Sequence, residues 1–281
     1  MYALLIAAAL LFALQFLFNQ QFRKYNGDGI DSTLKFSMYT NGLSCIIMLI
    51  LGRFQFSINW FSLTIGVLYA IVLILYSYAS LKSLATANLS VFSIFTMLGS
   101  ILLPTAYGFI FCKEDITLPK IICIVLIIVS TALTFEKSER KGNNMKYYIS
   151  VFILNGMVGV LSKMHQSNTE LAVDSYSFMA TVNAVVFIFC FAYLLIKNKK
   201  LPSVNIREFG ALSGYAASNG IGNLFSLIAL KELPASVQFP IVTGGVMAFS
   251  TLISFIRKEK PSVRTIISVV IAVAATVLIM F

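Results

Sequence analysis

From Trp60 to Leu81 the chain reads WFSLTIGVLYAIVLILYSYASL, 22 residues without a charged side chain. At about 1.5 Å rise per residue, such a run crosses the roughly 30 Å hydrocarbon core of a bilayer as one helix. A membrane barrel strand needs only about ten residues and alternates polar with apolar, which this stretch does not do. Similar runs lie on both sides of it. Breaks at charge, Gly, Pro and Asn clusters leave apolar segments at 2–22, 32–52, 60–81, 87–111, 119–135, 147–166, 175–196, 207–230, 235–256 and 263–281. The expected fold class is therefore all-α integral membrane with ten transmembrane helices.

Composition agrees with this reading. Of 281 residues, 58% are hydrophobic and 11% charged, against about 25% charged in a soluble domain. Ten spans and short loops use up the length. The net charge of +10 comes from basic residues in the short breaks between apolar runs. They form no arm, stripe or aromatic-basic motif, so membrane lipids are the expected partners of these cations and nucleic acid is not. Cys45, Cys112, Cys123 and Cys190 sit in or beside apolar runs with no CxxC spacing, and read as small buried hydrophobes. Met1 leads straight into a stretch that stays apolar to Phe18 with no basic region before it, so the first segment is expected to remain as a span.

An internal repeat organises these segments. Leu81-Lys82-Ser83-Leu84 after the third matches Leu230-Lys231-Glu232-Leu233 after the eighth. Lys113-Glu114 before the fifth matches Lys258-Glu259 before the tenth, and Asp31-Ser32 at the second matches Asp174-Ser175 at the seventh. Three landmarks in one order predict two five-helix repeats, 1–140 and 141–281, joined through the polar linker Glu136 to Lys146. Because five is odd, the second must insert upside down relative to the first. Loops after odd-numbered spans, with their flanks, hold sixteen Lys and Arg and those after even-numbered spans hold five. By the positive-inside rule the odd loops are cytoplasmic and both termini outside the cell membrane.

Polar side chains facing lipid are costly, so mid-span amides map a candidate pathway. In the eighth span Tyr215, Asn219 and Asn223 follow at i, i+4 and i+8 on one face, beside a strip of Ser218, Gly222 and Ser226. The stripe reads either as a substrate-contacting surface or as interhelical packing by small residues and bridging amides. Gln15 and Asn19 in the first span, Thr96 in the fourth, Asn183 in the seventh and Gln238 in the ninth are candidate opposing groups. The census also includes Asn41, Asn88 and Asn155. Pro104 and Pro240 each free a carbonyl and read as gating bends or as static kinks. Lys163 and His165 read as cavity groups that attract an anion or titrate, or as a snorkelling Lys and an interfacial His.

The eleven carboxylates all fall at span ends or in loops, which disfavours an antiporter built on a membrane-embedded acid. One His without a Cys at ligand spacing, no embedded carboxylate pair and no glycine-rich phosphate loop leave no expected metal, cofactor or catalytic centre.

The duplicated steps carry a resemblance. Ser80-Leu81-Lys82 with Glu114, and Ala229-Leu230-Lys231 with Glu259, resemble the drug/metabolite transporter superfamily in its EamA-like branch, where each half ends in such a step, a helix, a glutamate-bearing loop and a final helix. The resemblance covers essentially the whole chain. It implies a secondary carrier for amino acids, metabolites or drugs, working by alternating access, with helices one to four and six to nine around a central cavity. Helices five and ten would pack at the rim, and a homodimer is possible there. The expected function is thus transport of a small polar or amphipathic solute. The alternatives are a non-transporting assembly factor or receptor, or a lipid translocator.

Overall fold

The computed structural model describes residues 1–27, 29–86, 89–133, 145–199, 202–258 and 261–278, with side chains for all of these except 81–86, 89–94, 145 and 198. Asn88, Glu259 and nearly all of the linker from Glu136 to Lys146 lie outside the described residues.

Ten α-helices are present among the described residues: α1 Tyr2–Asn26, α2 Ile30–Leu51, α3 Trp60–Thr86, α4 Leu89–Phe111, α5 Leu118–Leu133, α6 Met145–Ser167, α7 Ser175–Asn198, α8 Ile206–Glu232, α9 Ala235–Ile256 and α10 Val263–Leu278. Each covers one predicted apolar segment, with ends shifted by a few residues. Six of them, α1, α2, α3, α6, α7 and α9, are long and apolar enough to cross a membrane by length and composition. The chain is thus a multi-pass, all-helical membrane protein.

Local chemistry sets several helix ends. Asp174 caps α7 by accepting from Ser177 N at 2.9 Å. Asn205 and Glu208 form a reciprocal capping box at the start of α8, satisfying donors that the first turn leaves open. Lys199 ends α7 in the left-handed region at φ 53°.

Apart from α9 on α10, sequence neighbours are not the main packing partners. α1 lies along α8 and α9, α2 along α7 and α8, α3 along α6 and α7, α4 along α6 and α9, and α10 along α5 and α9. Where α5 crosses α10 the contact is reciprocal: Ser130 Oγ donates to the Ser268 carbonyl at 2.7 Å, and Ser268 Oγ to the Ser130 carbonyl at 2.5 Å. Both serines are fully buried.

The loops gather at two ends. At one, the α1–α2 and α7–α8 connections meet, with Tyr39 donating to the Pro202 carbonyl and Lys197 paired with Asp31. At the other, the α2–α3 loop meets the α6–α7 loop through Ser57 to Asp174 at 2.9 Å and Asn59 to the Leu171 carbonyl at 2.6 Å. We call these the odd-loop and even-loop ends.

α8 is not among the six apolar spans, because its 27 residues carry Tyr215, Asn219, Asn223 and several Ser and Gly. A helix this polar is tolerated in a bilayer where its neighbours shield it. It touches α1, α2, α6, α7 and α9, and eleven of its residues are buried. The most polar long helix therefore occupies the middle of the bundle.

Candidate functional site

The site is built on the α1–α8 seam. A Cβ on Gly214 would lie 2.4 Å from the Phe18 ring, and one on Gly222 would lie 2.9 Å from the Phe12 ring. Glycine at both places lets the two rings of α1 lie directly on α8. The same contacts fix direction and level: Phe18 meets the earlier part of α8 and Phe12 the later, so the helices run antiparallel. Gln15, three residues from each Phe, shares their face and sits at the level of Ser218 and Asn219. Its buried Oε1 has no hydrogen-bond partner.

On the adjoining strip of α8, Asn223 Nδ2 donates to Asn219 Oδ1 at 2.9 Å and to the Asn219 carbonyl at 2.8 Å. Tyr215, Asn219 and Asn223 are each partly accessible. The Tyr215 ring meets Phe36 of α2 edge-on, with centroids 4.6 Å apart. Its hydroxyl lies within electrostatic range of Tyr76 on α3, and Tyr76 in turn bonds Thr96 of α4. Helices α1, α3, α4 and α8 thus contribute polar groups around the middle of α8. These are Gln15, Tyr76, Thr96, Tyr215, Asn219 and Asn223.

The remaining candidates stand elsewhere. Asn19 accepts from Arg23 at 3.1 Å, toward the odd-loop end. Asn183, 4% exposed with Nδ2 unpartnered, lies one turn from Phe187, which packs over Gly42, so it occupies the α2-facing side of α7. Gln238 Nε2 bonds the Ser226 carbonyl at 2.9 Å, tying α9 to α8. Asn155 likewise ties α6 to the Thr96 carbonyl at 2.8 Å. These last two bridge helices as packing amides do, whereas the bonds of the Asn219–Asn223 pair stay within α8. Pro104 is inside α4 and packs against Gly159, and Pro240 is buried near the start of α9.

Lys163 does not snorkel. It is 7% exposed, and its Nζ lies 3.0 Å from Glu114 Oε1. Glu114 also accepts from Ala235 N at 2.8 Å, Ser236 N at 3.2 Å and Ser236 Oγ at 2.8 Å. It therefore caps α9 and receives the positive end of that helix dipole. Burial pushes the Glu114 carboxyl up, but the bonds from Ala235, Lys163 and Ser236 together with the Lys163 charge outweigh it, and it titrates below its ordinary value.

His165 does not face solvent either. It is fully buried, stacked on Phe178 at 3.8 Å between centroids, with Nε2 3.0 Å from Ser62 Oγ. Val173 N donates to that same hydroxyl, and Gln166 Nε2 lies 3.2 Å from His165 Nδ1. The ring is held by contacts from α3, α7 and its own helix.

A second buried ion pair sits at the opposite end. Lys35 of α2 lies 2.8 Å from Glu208 of α8 and also donates to Asn26 Oδ1 at 3.0 Å. Among the described residues, each end of the bundle thus has a buried Lys–Glu pair joining an element before residue 134 to one after residue 144. The sequence reading missed both pairs and Tyr76. Both glutamates lie near helix N-termini, and Tyr76 lies in the run Tyr76-Ser77-Tyr78-Ala79-Ser80, unusually rich in hydroxyls for a span.

A surface cavity of about 430 Å³ opens at the even-loop end between Phe61, Tyr107, Met164 and Glu170, away from the α8 stripe. A smaller one of about 220 Å³ lies between α1 and α9 at the odd-loop end.

Residues 146–281 match the EamA-like transporter family, in agreement with the resemblance carried by the paired Lys-Glu steps. One solved crystal structure of a protein aligns with a TM-score of 0.78 over 98% of this chain and 94% of that one, at 13% identity; this shows the fold alone. No curated protein matches the sequence significantly.

Proposed function

We propose that this chain, EamA-like over residues 146–281, is a secondary transporter that moves a small polar or amphipathic solute across the cell membrane by alternating access. The observation that carries the reading is the Asn219–Asn223 pair with Tyr215: partly accessible amides and a phenol at mid-bundle depth, on a helix enclosed by five others. Polar groups at that depth need a reason, and here their bonds do not join α8 to a neighbour. Neutral amides and hydroxyls suit an uncharged or zwitterionic solute better than a bare ion. Gln15, Tyr76 and Thr96 form the opposing wall, with Asn19, Asn183 and Gln238 farther out.

Two inverted repeats, 1–140 and 141–281, are the architecture this reading requires. The helix pairing supports it. Exchanging each helix with the one five places on turns α1–α8 into α6–α3, α2–α8 into α7–α3 and α1–α9 into α6–α4, and returns α2–α7, α4–α9 and α5–α10 to themselves; all of these pairs occur. The reciprocal Ser130–Ser268 bonds are what a two-fold axis through α5–α10 produces. In this account the ion pairs Lys163–Glu114 and Lys35–Glu208 close the two ends. With the basic residues toward the cytoplasm, both termini lie outside.

The test begins with a stabilisation screen of the purified protein against amino acids, nucleosides, choline-like cations and drugs. Uptake or efflux of the solute it identifies should fall in Asn219→Ala and Asn223→Ala at unchanged membrane expression. Normal transport by both variants would remove the site assignment.

A further inference from the structure

α1 and α9 run parallel and touch closely at one level, where a Cβ on Gly245 would lie 2.7 Å from the Ala9 methyl. Beyond that contact, toward the odd-loop end, the two helices enclose a crevice of about 220 Å³. Its α1 wall is Ala13, Phe16, Leu17 and Gln20, at i, i+3, i+4 and i+7. Its α9 wall is Ser250, Ile253, Ser254 and Arg257 at the same spacing. The crevice is graded along its length. Phe16, Leu17 and Ile253 supply apolar surface toward the bilayer centre. At the mouth Arg257 Nη1 donates to Gln20 Oε1 at 3.1 Å, joining the two walls. Ser250 Oγ is buried in the wall without a partner. Phe16 is 47% exposed, forming a lip toward the lipid.

We infer that this crevice is a binding site for an anionic phospholipid. The planar guanidinium of Arg257 matches a phosphate in geometry as well as charge. Arg257 sits at the odd-loop end of the bundle with Arg23, Lys24, Lys197, Lys199 and Lys258, which favours an anionic headgroup over a zwitterionic one. At about 220 Å³ the space is below that of a pocket enclosing a drug-sized molecule. It takes the phosphate and glycerol portion of a lipid, with the acyl chains leaving past Phe16 into the bilayer. Ser254 supplies a hydroxyl at the level of the glycerol oxygens. A lipid seated here wedges between α1, which carries Gln15, and α9, which Glu114 caps. This inference requires that the chain sit in a bilayer and does not require that it transport.

The experiment measures lipid retained by the full-length protein after extraction from bilayers of equal phosphatidylglycerol and phosphatidylcholine, by native mass spectrometry. The wild type should retain phosphatidylglycerol in excess, and Arg257→Gln should lower that excess about fivefold through loss of the charge-assisted contact to the phosphate. Ser254→Trp, which fills the crevice and leaves the charge, should lower it as well. Arg264→Gln, a basic residue of the same end outside the crevice, should leave it unchanged. Equal retention of both lipids overturns the inference, as does the same loss in Arg264→Gln. In a parallel arm inorganic phosphate is added to delipidated protein: thermal stabilisation equal to that by phosphatidylglycerol identifies a free-anion site and overturns the lipid assignment, whereas stabilisation by the lipid alone supports it. Because the readout is lipid retention, its failure leaves the transport reading standing.

Discussion

Removing Glu114 should cost far more than removing the lysine it pairs with. Both side chains are under a tenth exposed, so solvent screens the pair little. In Glu114→Gln the Lys163 ammonium keeps neutral acceptors, the Leu233 carbonyl at 3.4 Å and the new amide oxygen, but loses its counter-charge and becomes an uncompensated buried charge, a loss of about 3–5 kcal/mol. In Lys163→Met the carboxylate keeps Ala235 N, Ser236 N and Ser236 Oγ and the α9 dipole, so the loss should be the smaller of the two. The double variant should recover much of the Glu114→Gln loss, because the stranded charge is gone. The assay is unfolding of purified protein in detergent, followed by helical circular dichroism and by the fraction that remains monodisperse. Acid should act in the same direction. Since the Glu114 carboxyl titrates below its ordinary value, its contribution is full above the ordinary carboxylate range and is lost as pH falls through the lowered value. That acid-dependent part should vanish in Glu114→Gln. Equal losses for the two single variants, or a double variant equal to their sum, would refute the reasoning.

Two further outcomes follow from the described contacts. Ser130→Ala removes one side of the reciprocal α5–α10 bonds and should cost about 0.6 kcal/mol and at most about 2, read by the same unfolding assay; a loss several times larger would mean that the pair does more than join two helices. Asp174→Ala should cost about 1 kcal/mol through loss of the α7 cap. Burial pushes the Asp174 carboxyl up, but bonds from Ser177, Ser57 and the Tyr176 backbone outweigh it and hold it low. The stability difference between wild type and variant should therefore shrink as pH falls below the ordinary carboxylate range, and a difference that grows in acid would contradict the cap.

Helix count and position were legible because bilayer thickness dictates span length, so a 22-residue run such as Trp60–Leu81 admits one reading. The stripe on α8 was legible because i, i+4 spacing places Tyr215, Asn219 and Asn223 on one face whatever the tertiary structure. What α8 packs against was not legible, since Gly214 and Gly222 state that something approaches closely but not that Phe18 and Phe12 do. The ion pairs were hidden for a similar reason. Lys35 and Glu208 are 173 residues apart, and only the packing of α2 on α8 joins them. His165 and Lys163 read either as cavity groups or as an interfacial His and a snorkelling Lys, because an ionisable residue near the end of a span admits both. Their partners, Ser62 and Glu114, come from elements distant in sequence and change their roles.

The central claim is that the middle of α8 lines a water-accessible path. Cys45, Cys112, Cys123 and Cys190 are all free thiols, so the measurement starts from a background in which they are replaced by serine or alanine. Single cysteines are then placed at 219, at 223 and, as a lipid-facing control, at Val270, which is 62% exposed on α10. The account predicts that a water-soluble thiol reagent labels positions 219 and 223 in intact membranes and leaves 270 unlabelled. Protection of 219 and 223 equal to that of 270, from both sides of the membrane, would contradict it.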